Sequence, residues 1–347
     1  MVYILCVTGV TVVHNFSPRA EPVPLRKGPM MLSNDARKLY LAQVASLYYV
    51  DGKSQEEIGQ EFGVSRSAVS RMLAEAREQG IVEIIVHYPW RTSPDLEQAL
   101  IKTFKLKSAS VLVTDDKTYD GMLQGLGVLA ARFLERMLHD GIIIGISWGT
   151  ALYQMIRAMR RRRLPGVEVV QLIGATGSEN VPMDGPMLAQ LLTEQLGGSC
   201  YYIHAPLVVE NETVRDGLLQ DRNIRDTLAR AERADVALVG IGTTRSDLSS
   251  LLRAGYVDEA EAERIRATGA VGDICGQHYS LTGQWLDIDI NRRVVGISLD
   301  ALSKIDTVIG VAGGSRKGAA ILGALRGRYV NVLITDDQAA QKVLALN

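Results

Sequence analysis

Ser54–Gly80, SQEEIGQEFGVSRSAVSRMLAEAREQG, reads as two helices joined by a tight turn. Ser54 and Glu57 have capping-box spacing, so a helix can begin there with its first amides satisfied. Ile58 and Phe62 fall on one face of that helix, and Gly59 is small where a second helix would cross closely. Gly63 stands where the chain must turn, and glycine enters the left-handed region without steric cost. Ser65 can cap the next helix. Val69, Met72, Leu73 and Ala76 give that helix an apolar stripe, and Gly80 ends it as a C′ glycine does. This is the geometry of a helix-turn-helix, whose second helix enters the DNA major groove by its N-terminal residues. Arg66, Ser67, Ser70 and Arg71 face outward at that end. With Lys53, Gln55 and Ser65 they form the candidate DNA-binding set. The alternative is an ordinary helical hairpin with solvated arginines; the agreement of turn, caps, apolar spacing and polar tip favours DNA.

A chain of 347 residues with 47% hydrophobic and 22% charged residues allows about two globular domains with a sizeable core. The net charge of −1 announces no general nucleic-acid field. Residues 33–90 hold six Lys/Arg against eight Asp/Glu, or −2. DNA affinity therefore has to come from focal charge at Lys53, Arg66, Arg71 and Arg77, multiplied by dimerisation. The three cysteines, Cys6, Cys200 and Cys275, are too widely spaced for a metal site or a disulfide framework, which fits a reducing cytoplasm. No apolar run approaches a membrane span. No metal ligands, catalytic set or cofactor motif stand out.

Residues 1–32 begin with apolar MVYILCVTGVTVV but lack the basic start of a signal peptide. Proline-rich SPRAEPVPLRKGP follows, so this segment is expected to be a disordered or misassigned extension, with Met30 or Met31 as the natural start. Residues 33–90 form the helix-turn-helix domain: NDARKLYLAQVASLYYV, with Leu39, Val44 and Leu47 as core candidates, supports the hairpin, and IVEIIVHY closes it as a strand. Residues 91–107 read as a linker with a helix. From residue 108 to 347, short apolar strands alternate with helices, the pattern of a parallel sheet covered on both faces. Gln277–Leu299 is less regular and reads as a hairpin or lid. The fold class is α/β, a helix-turn-helix domain followed by a Rossmann-like domain.

The strands of this second domain end in small-residue turns: Gly145–Thr150, Gly174–Ser178, Gly240–Thr244, Gly272–Gly276 and Gly313–Lys317. Open α/β sheets bind ligands at those ends, and backbone amides at a helix start suit anions. Thr150, Ser178, Thr243 and Ser315 add hydroxyls, Arg316 and Lys317 add charge, and a phosphorylated small molecule is the expected ligand. No turn has GxGxxG or P-loop spacing, so dinucleotides and ATP are not expected. Asp273 either accepts sugar hydroxyls or caps a helix. Lys317 either meets phosphate, forms a Schiff base with an aldehyde, or is solvated. Cys275 near His278 lacks the third group of a nucleophile pair. Trp148 is a pocket wall or core, and Arg160–Arg163 reads as a solvated helix end.

The hairpin sequence, extended to SQEEIGQEFGVSRSAVSRMLAEAREQGIVEI, resembles the N-terminal domain of the SorC family of bacterial transcriptional regulators. GISWGTAL, VVQLIGATGS, ALVGIGT, AVGDICG and VIGVAGGSRKGAAILGALRGRYVNVLITD resemble the family's effector domain, over about residues 35–345. The resemblance implies a fold related to glucosamine-6-phosphate deaminase and ribose-5-phosphate isomerase, used to sense sugar phosphates. It implies homo-oligomers, usually tetramers, that release double-stranded operator DNA when the effector binds. By position, Gly145, Trp148, Gly149, Thr150, Gln171, Asp273, Gly313, Gly314 and Lys317 would contact the effector, and Ser147, Gly174 and Gly242 in the same turns join them as candidates. The expected function is thus a cytoplasmic DNA-binding regulator of carbohydrate metabolism and not an enzyme. The rivals are a sugar-phosphate isomerase or deaminase with an extra helical domain, and an adaptor that docks proteins on the helix pair. An isomerase needs a positioned carboxylate base, and Asp273 is the one evident candidate.

Overall fold

The computed structural model describes residues 2–7, 10–15, 34–86, 90–115, 118–175 and 184–347. Its contacts divide the chain into two units, Met1–Pro89 and Trp90–Asn347.

In the first unit, helices α1 (Asn34–Tyr49), α2 (Gln55–Phe62) and α3 (Arg66–Glu78) enclose a small core of Leu41, Val44, Ala45, Ile58, Val69, Met72, Leu73, Ala76 and Val82. The caps are those the residue types dictate. Ser54 Oγ accepts from Glu57 N at 3.2 Å while the Glu57 carboxylate accepts from Ser54 N at 2.8 Å. Ser65 Oγ accepts from Ala68 N at 3.2 Å, and Gly63 turns the chain at φ 64°. Gly59 is small for a different reason than helix crossing: a methyl there would stand 2.8 Å from the Val64 carbonyl of the turn itself. The buried stripe of α1 is Leu41, Val44 and Ala45, not one through Leu39, which is only half-buried. The apolar start, expected to belong to a disordered or misassigned extension, contributes strands β1 (Val2–Val7) and β2 (Val10–Asn15), antiparallel to each other. β2 pairs in turn with β3 (Glu83–Val86). Runs of β-branched valine and threonine favour this extended state. The proline-rich stretch lies outside the described residues.

The second unit opens with α4 (Pro94–Phe104). Residues 91–107 are therefore not a free linker: Leu100 is fully buried in the second unit's core, and Glu97 accepts from Val111 N at 2.9 Å. Strand β4 (Ser108–Leu112), α5 (Tyr119–Glu135), β5 (Ile143–Ile146), α6 (Thr150–Ala158), β6 (Glu168–Gln171), α7 (Gly185–Leu196) and β7 (Ser199–Tyr201) follow. Then come α8 (Glu212–Gln220), α9 (Arg222–Ala231), β8 (Val236–Gly240), β9 (Gly242–Thr243), α10 (Ser250–Arg253) and α11 (Glu259–Ala267). The chain ends with β10 (Ala270–Ile274), β11 (Gln277–Ser280), α12 (Asp289–Arg292), α13 (Leu299–Lys304), β12 (Thr307–Val311), a 3-10 turn at Ser315–Lys317, α14 (Gly318–Arg326), β13 (Val332–Asp336) and α15 (Asp337–Leu346).

Seven parallel strands run in the order β4-β13-β12-β8-β5-β6-β7, with helical layers on both faces. From β5 the chain winds outward through β6 and β7, returns to β8 beside β5, and then winds the other way through β12 and β13. The direction thus reverses between β5 and β8, the place where open sheets part to form a crevice. A second, antiparallel sheet runs in the order β11-β10-β9; of the stretch Gln277–Leu299, expected as a hairpin or lid of its own, only β11 joins it, pairing with β10 just before. The Arg160–Arg163 run corrects the expected helix end. α6 stops at Ala158, with Met159 extended at ψ 145°, because the Arg160 and Arg162 amides bond to Glu135 Oε1 (2.8 Å) and the Gln195 carbonyl (2.9 Å).

Replacing Gly63 by alanine places the new methyl in open space but forces a residue with a Cβ into the left-handed conformation. It is expected to cost the first unit about 1–2 kcal/mol, seen as a lower urea midpoint for its helical signal by circular dichroism.

Candidate functional site

On the first unit, Ser65, Arg66, Ser67, Ser70 and Arg71 are all exposed along the start of α3. Ser65 Oγ lies 3.0 Å from Ser67 Oγ, and Arg71 Nε reaches back to the Ser67 carbonyl at 3.4 Å, which leaves the guanidinium edges free to turn outward. Arg66 forms no ion pair among the described residues. Lys53 is different: its Nζ meets Glu61 at 2.6 Å, a hydrogen bond that raises its pKa and keeps it charged, but offsets its field. Gln55 is half-buried in the first turn of α2.

In the second unit a small cleft, open to solvent, lies at the carboxyl ends of β5, β8 and β12. Trp148, Gly149, Thr150, Gly242, Asp273, Gly313 and Lys317 line it, so seven of the expected contacts converge. Two helix starts open into it. Gly149 at φ 124° precedes α6 and Gly314 at φ 92° precedes the 3-10 turn leading to α14, and neither start carries a side-chain cap. Uncapped first-turn amides attract anions.

Buried carboxylates shape this wall. Asp336 is 1% exposed and accepts from the amides of Gly314 and Ala339; burial nevertheless pushes its pKa up. The Asp336 carboxylate crowds Gly313 so closely that no Cβ fits there. Asp273 lies over Gly242, its partner across the β10–β9 pairing, where a Cβ would likewise collide with the carboxylate. Burial raises the Asp273 pKa, while His278, Lys317 and the Gly276 amide pull it down. The Lys317 ammonium donates to the Ile241 carbonyl at 2.8 Å. Burial lowers its pKa to about 8, against the pull of Asp273 and helped by Arg253.

Five expected contacts, Gly145, Ser147, Gln171, Gly174 and Gly314, do not line the cleft. Gly145 lies in β5, where a Cβ would stand 2.6 Å from Leu172. Ser147 is buried, and its hydroxyl accepts from Gly240 N at 3.4 Å, stitching β5 to β8. Gln171 is fully buried and fastens β6 to the Ile203 amide (2.9 Å) and the Ile173 carbonyl (3.2 Å). Gly174 abuts the Ala205 and Pro206 carbonyls. Gly314 donates its amide to Asp336. Ser178 lies outside the described residues. Arg316 pairs with Asp247 at 2.6 Å. The Cys275–His278 pair is no nucleophile: burial and Asp273 raise the thiol pKa, and the imidazole is engaged by Asn291. Sequence reasoning missed Tyr119, Ser250 and Arg253, which also line the cleft. They come from the first turn of α5 and from a four-residue helix, and no local motif marks them. No group of histidine, cysteine, aspartate or glutamate among the described residues could hold a metal, and no described helix is long and apolar enough to cross a membrane.

Residues 88–345 match a family model for a sugar-binding domain, and residues 42–79 match one for Sigma-70, region 4. The chain is 35% identical over 302 residues to the Deoxyribonucleoside regulator of Bacillus subtilis, covering 87% of this chain and 96% of that one. It is 32% identical over 314 residues to the Sorbitol operon regulator of Klebsiella pneumoniae, covering 90% and 99%. Among solved structures, full-length SorC from Klebsiella pneumoniae superposes with a TM-score of 0.67 at 31% identity, covering 90% of this chain and 100% of that one.

The Asp336→Ala change should leave the Gly314 and Ala339 amides buried without an acceptor. Each orphaned amide costs about 1–3 kcal/mol, so a marked fall in melting temperature is expected by calorimetry, larger than that of Asp337→Ala.

Proposed function

The chain belongs to the SorC family of DNA-binding transcriptional regulators and is not an enzyme, and from that premise we propose that a phosphorylated sugar bound in the strand-end cleft controls its hold on operator DNA. The observation that carries the reading is the pair of uncapped helix starts opening into one cleft beside Lys317 and Arg253. A phosphate satisfies those amides and cations together through charge-assisted hydrogen bonds. Asp273 then faces the sugar hydroxyls as acceptor. Trp148, Gly149, Thr150, Gly242, Gly313 and Lys317 are the remaining contacts, with Tyr119, Ser250 and Arg253 added. Operator binding fits a cytoplasmic protein.

The DNA side rests on α3. Its local charge is too small for tight binding by one copy, so a homodimer or homotetramer reading a two-fold operator is the fitting assembly. Helix-turn-helix dimers read half-sites about one helical turn apart. Arg66→Ala should weaken specific operator binding by about 1–3 kcal/mol if the guanidinium reads a base. A gel-shift titration on a selected operator checks this, and unchanged affinity for Arg66→Ala/Arg71→Ala would overturn the DNA-facing assignment.

The effector side predicts a sharp contrast. Pentose and hexose phosphates should raise the melting temperature in a thermal-shift screen, and the free sugars should do so far less. Lys317→Ala should lose that response while keeping effector-free operator binding. The pH dependence follows from Lys317. A bound phosphate raises the ammonium pKa, so binding favours the protonated lysine. Effector affinity should therefore be full below about pH 8 and fall as pH rises through that value. A calorimetric titration series from pH 6.5 to 9.5 tests it; a flat profile would remove Lys317 from the phosphate site.

A further inference from the structure

Asp273 has a neighbour that the cleft itself does not display. His278 is its direct partner across the antiparallel β10–β11 pair, and such partners share one face with their Cβ atoms about 5 Å apart. His278 is 3% exposed. Its ring is held from the far side by Asn291, itself buried. The Asn291 amide nitrogen donates to the His278 carbonyl at 2.9 Å and to the Leu286 carbonyl at 2.8 Å. Those two bonds fix the orientation of the carboxamide, so Asn291 Oδ1 is the acceptor that faces His278. It receives the His278 backbone amide at 2.7 Å and lies 3.1 Å from Nδ1. An acceptor at that distance requires Nδ1 to carry a proton. The neutral ring then keeps its lone pair on Nε2, the nitrogen left to take up a further proton.

We propose that His278, locked in one tautomer by Asn291, is a positioning residue for effector recognition: it supplies a proton site beside Asp273 that keeps this carboxylate ionised as an acceptor for the effector's hydroxyls. The inference rests on the reading of the cleft as the effector site. A protonated Asp273 would present a donor where a sugar hydroxyl needs an acceptor. The groups facing Asp273 are His278 and Tyr279 from β11, Lys317 from the 3-10 turn and Cys275 from the β10–β11 turn, with Arg253 behind Lys317. Tyr279 and Cys275 stay neutral because burial raises both pKa values. Lys317 is charged below about pH 8. As pH falls from neutral, the next proton has two destinations, Nε2 of His278 or the carboxylate. Burial lowers the His278 pKa, while Asp273 and the Asn291 hydrogen bond pull it up. With the imidazole present, a proton on Nε2 adds a second positive charge next to Asp273, which lowers the carboxylate's pKa. Without it, Asp273 takes the proton itself, and at a higher pH.

The test compares wild type with His278→Gln, which can still donate to Asn291 but cannot titrate. The probes are ribose 5-phosphate, glucose 6-phosphate and fructose 6-phosphate, with inorganic phosphate as the control that has no sugar hydroxyls. In calorimetric titrations from pH 5 to 7.5, the acid midpoint of sugar-phosphate binding should move up in the variant by about one unit, so affinity near the midpoint falls about tenfold. Binding of inorganic phosphate should change little, and operator binding without effector should persist. A merely structural His278 would lower melting temperature and leave the acid midpoint where it is, which would overturn the proposal. If none of the three sugar phosphates binds wild type, the effector reading fails and this inference with it. Ring nitrogen chemical shifts of wild type give a readout that does not depend on the variant folding. The signal that disappears in spectra of His278→Gln, or is assigned from the backbone, should show the Nδ1-protonated tautomer at pH 7.5. The Nε2-protonated tautomer would refute the proposed arrangement.

Discussion

Two carboxylates held out of water set the shape of the cleft. Removing an ionised carboxylate from water is costly unless hydrogen bonds or cations replace the lost solvation. Asp336 finds replacement in backbone amides of the Gly313–Gly314 turn and of α15. Asp273 finds it in Lys317, His278 and the Gly276 amide. Each carboxylate demands that backbone come close, which is why Gly313 and Gly242 have no room for a side chain. The same two turns carry the ends of β12 and β8 into the crevice where the sheet reverses direction. The glycines, the uncapped helix starts and the half-buried lysine thus belong to one arrangement.

Much of this was legible in the chain. The caps at Ser54 and Ser65 and the turn at Gly63 are local chemistry, so residue type and spacing suffice to place them. The alternation of apolar strands and helices likewise encodes a covered parallel sheet. Glycine-rich turns, however, look alike in a sequence whether they face a ligand or another strand. Gly145 and Gly174 are small because Leu172 and the Ala205–Pro206 carbonyls press on them, whereas Gly149 and Gly313 border the cleft. Gln171 and Ser147 are polar and buried for the same structural reason: each satisfies backbone groups between neighbouring segments. Arg253 and Tyr119 reach the cleft only through tertiary folding, so no pattern could reveal them. The α4 segment read as a linker because one amphipathic helix does not say which surface it will cover.

The cleft also explains in physical terms why this fold binds without turning substrate over. Asp273 is the sole carboxylate among the residues lining it. Proton shuttling between sugar carbons needs a base that can take and return a proton and a group that polarises the carbonyl. Asp273 is buried within the field of Lys317 and His278 and seated on Gly242. Such a site is suited to recognising hydroxyls by fixed hydrogen bonds, and its energy goes into selecting one occupied state.

That selectivity matters because the charge around the DNA-binding helices is small. Around α3 the favourable field comes from Arg66, Arg71 and Arg77, while Glu61 offsets Lys53 and residues 33–90 sum to −2. Salt-dependent phosphate contacts supply most of the affinity of such modules, so one copy is left with little to spend on specificity. In the proposed oligomer, two helices engaging two half-sites gain the effective concentration that one lacks. Affinity then depends on the spacing of the two helices, and spacing is what a rearrangement between subunits changes. The effector has to favour one arrangement by only about 1.4 kcal/mol to change operator affinity tenfold. In the proposed reading, the charge-assisted hydrogen bonds of a bound phosphate are each of that size, roughly 1.5–3 kcal/mol. A weak DNA reader is therefore an asset here: it keeps the energy needed for release within what a single small ligand delivers.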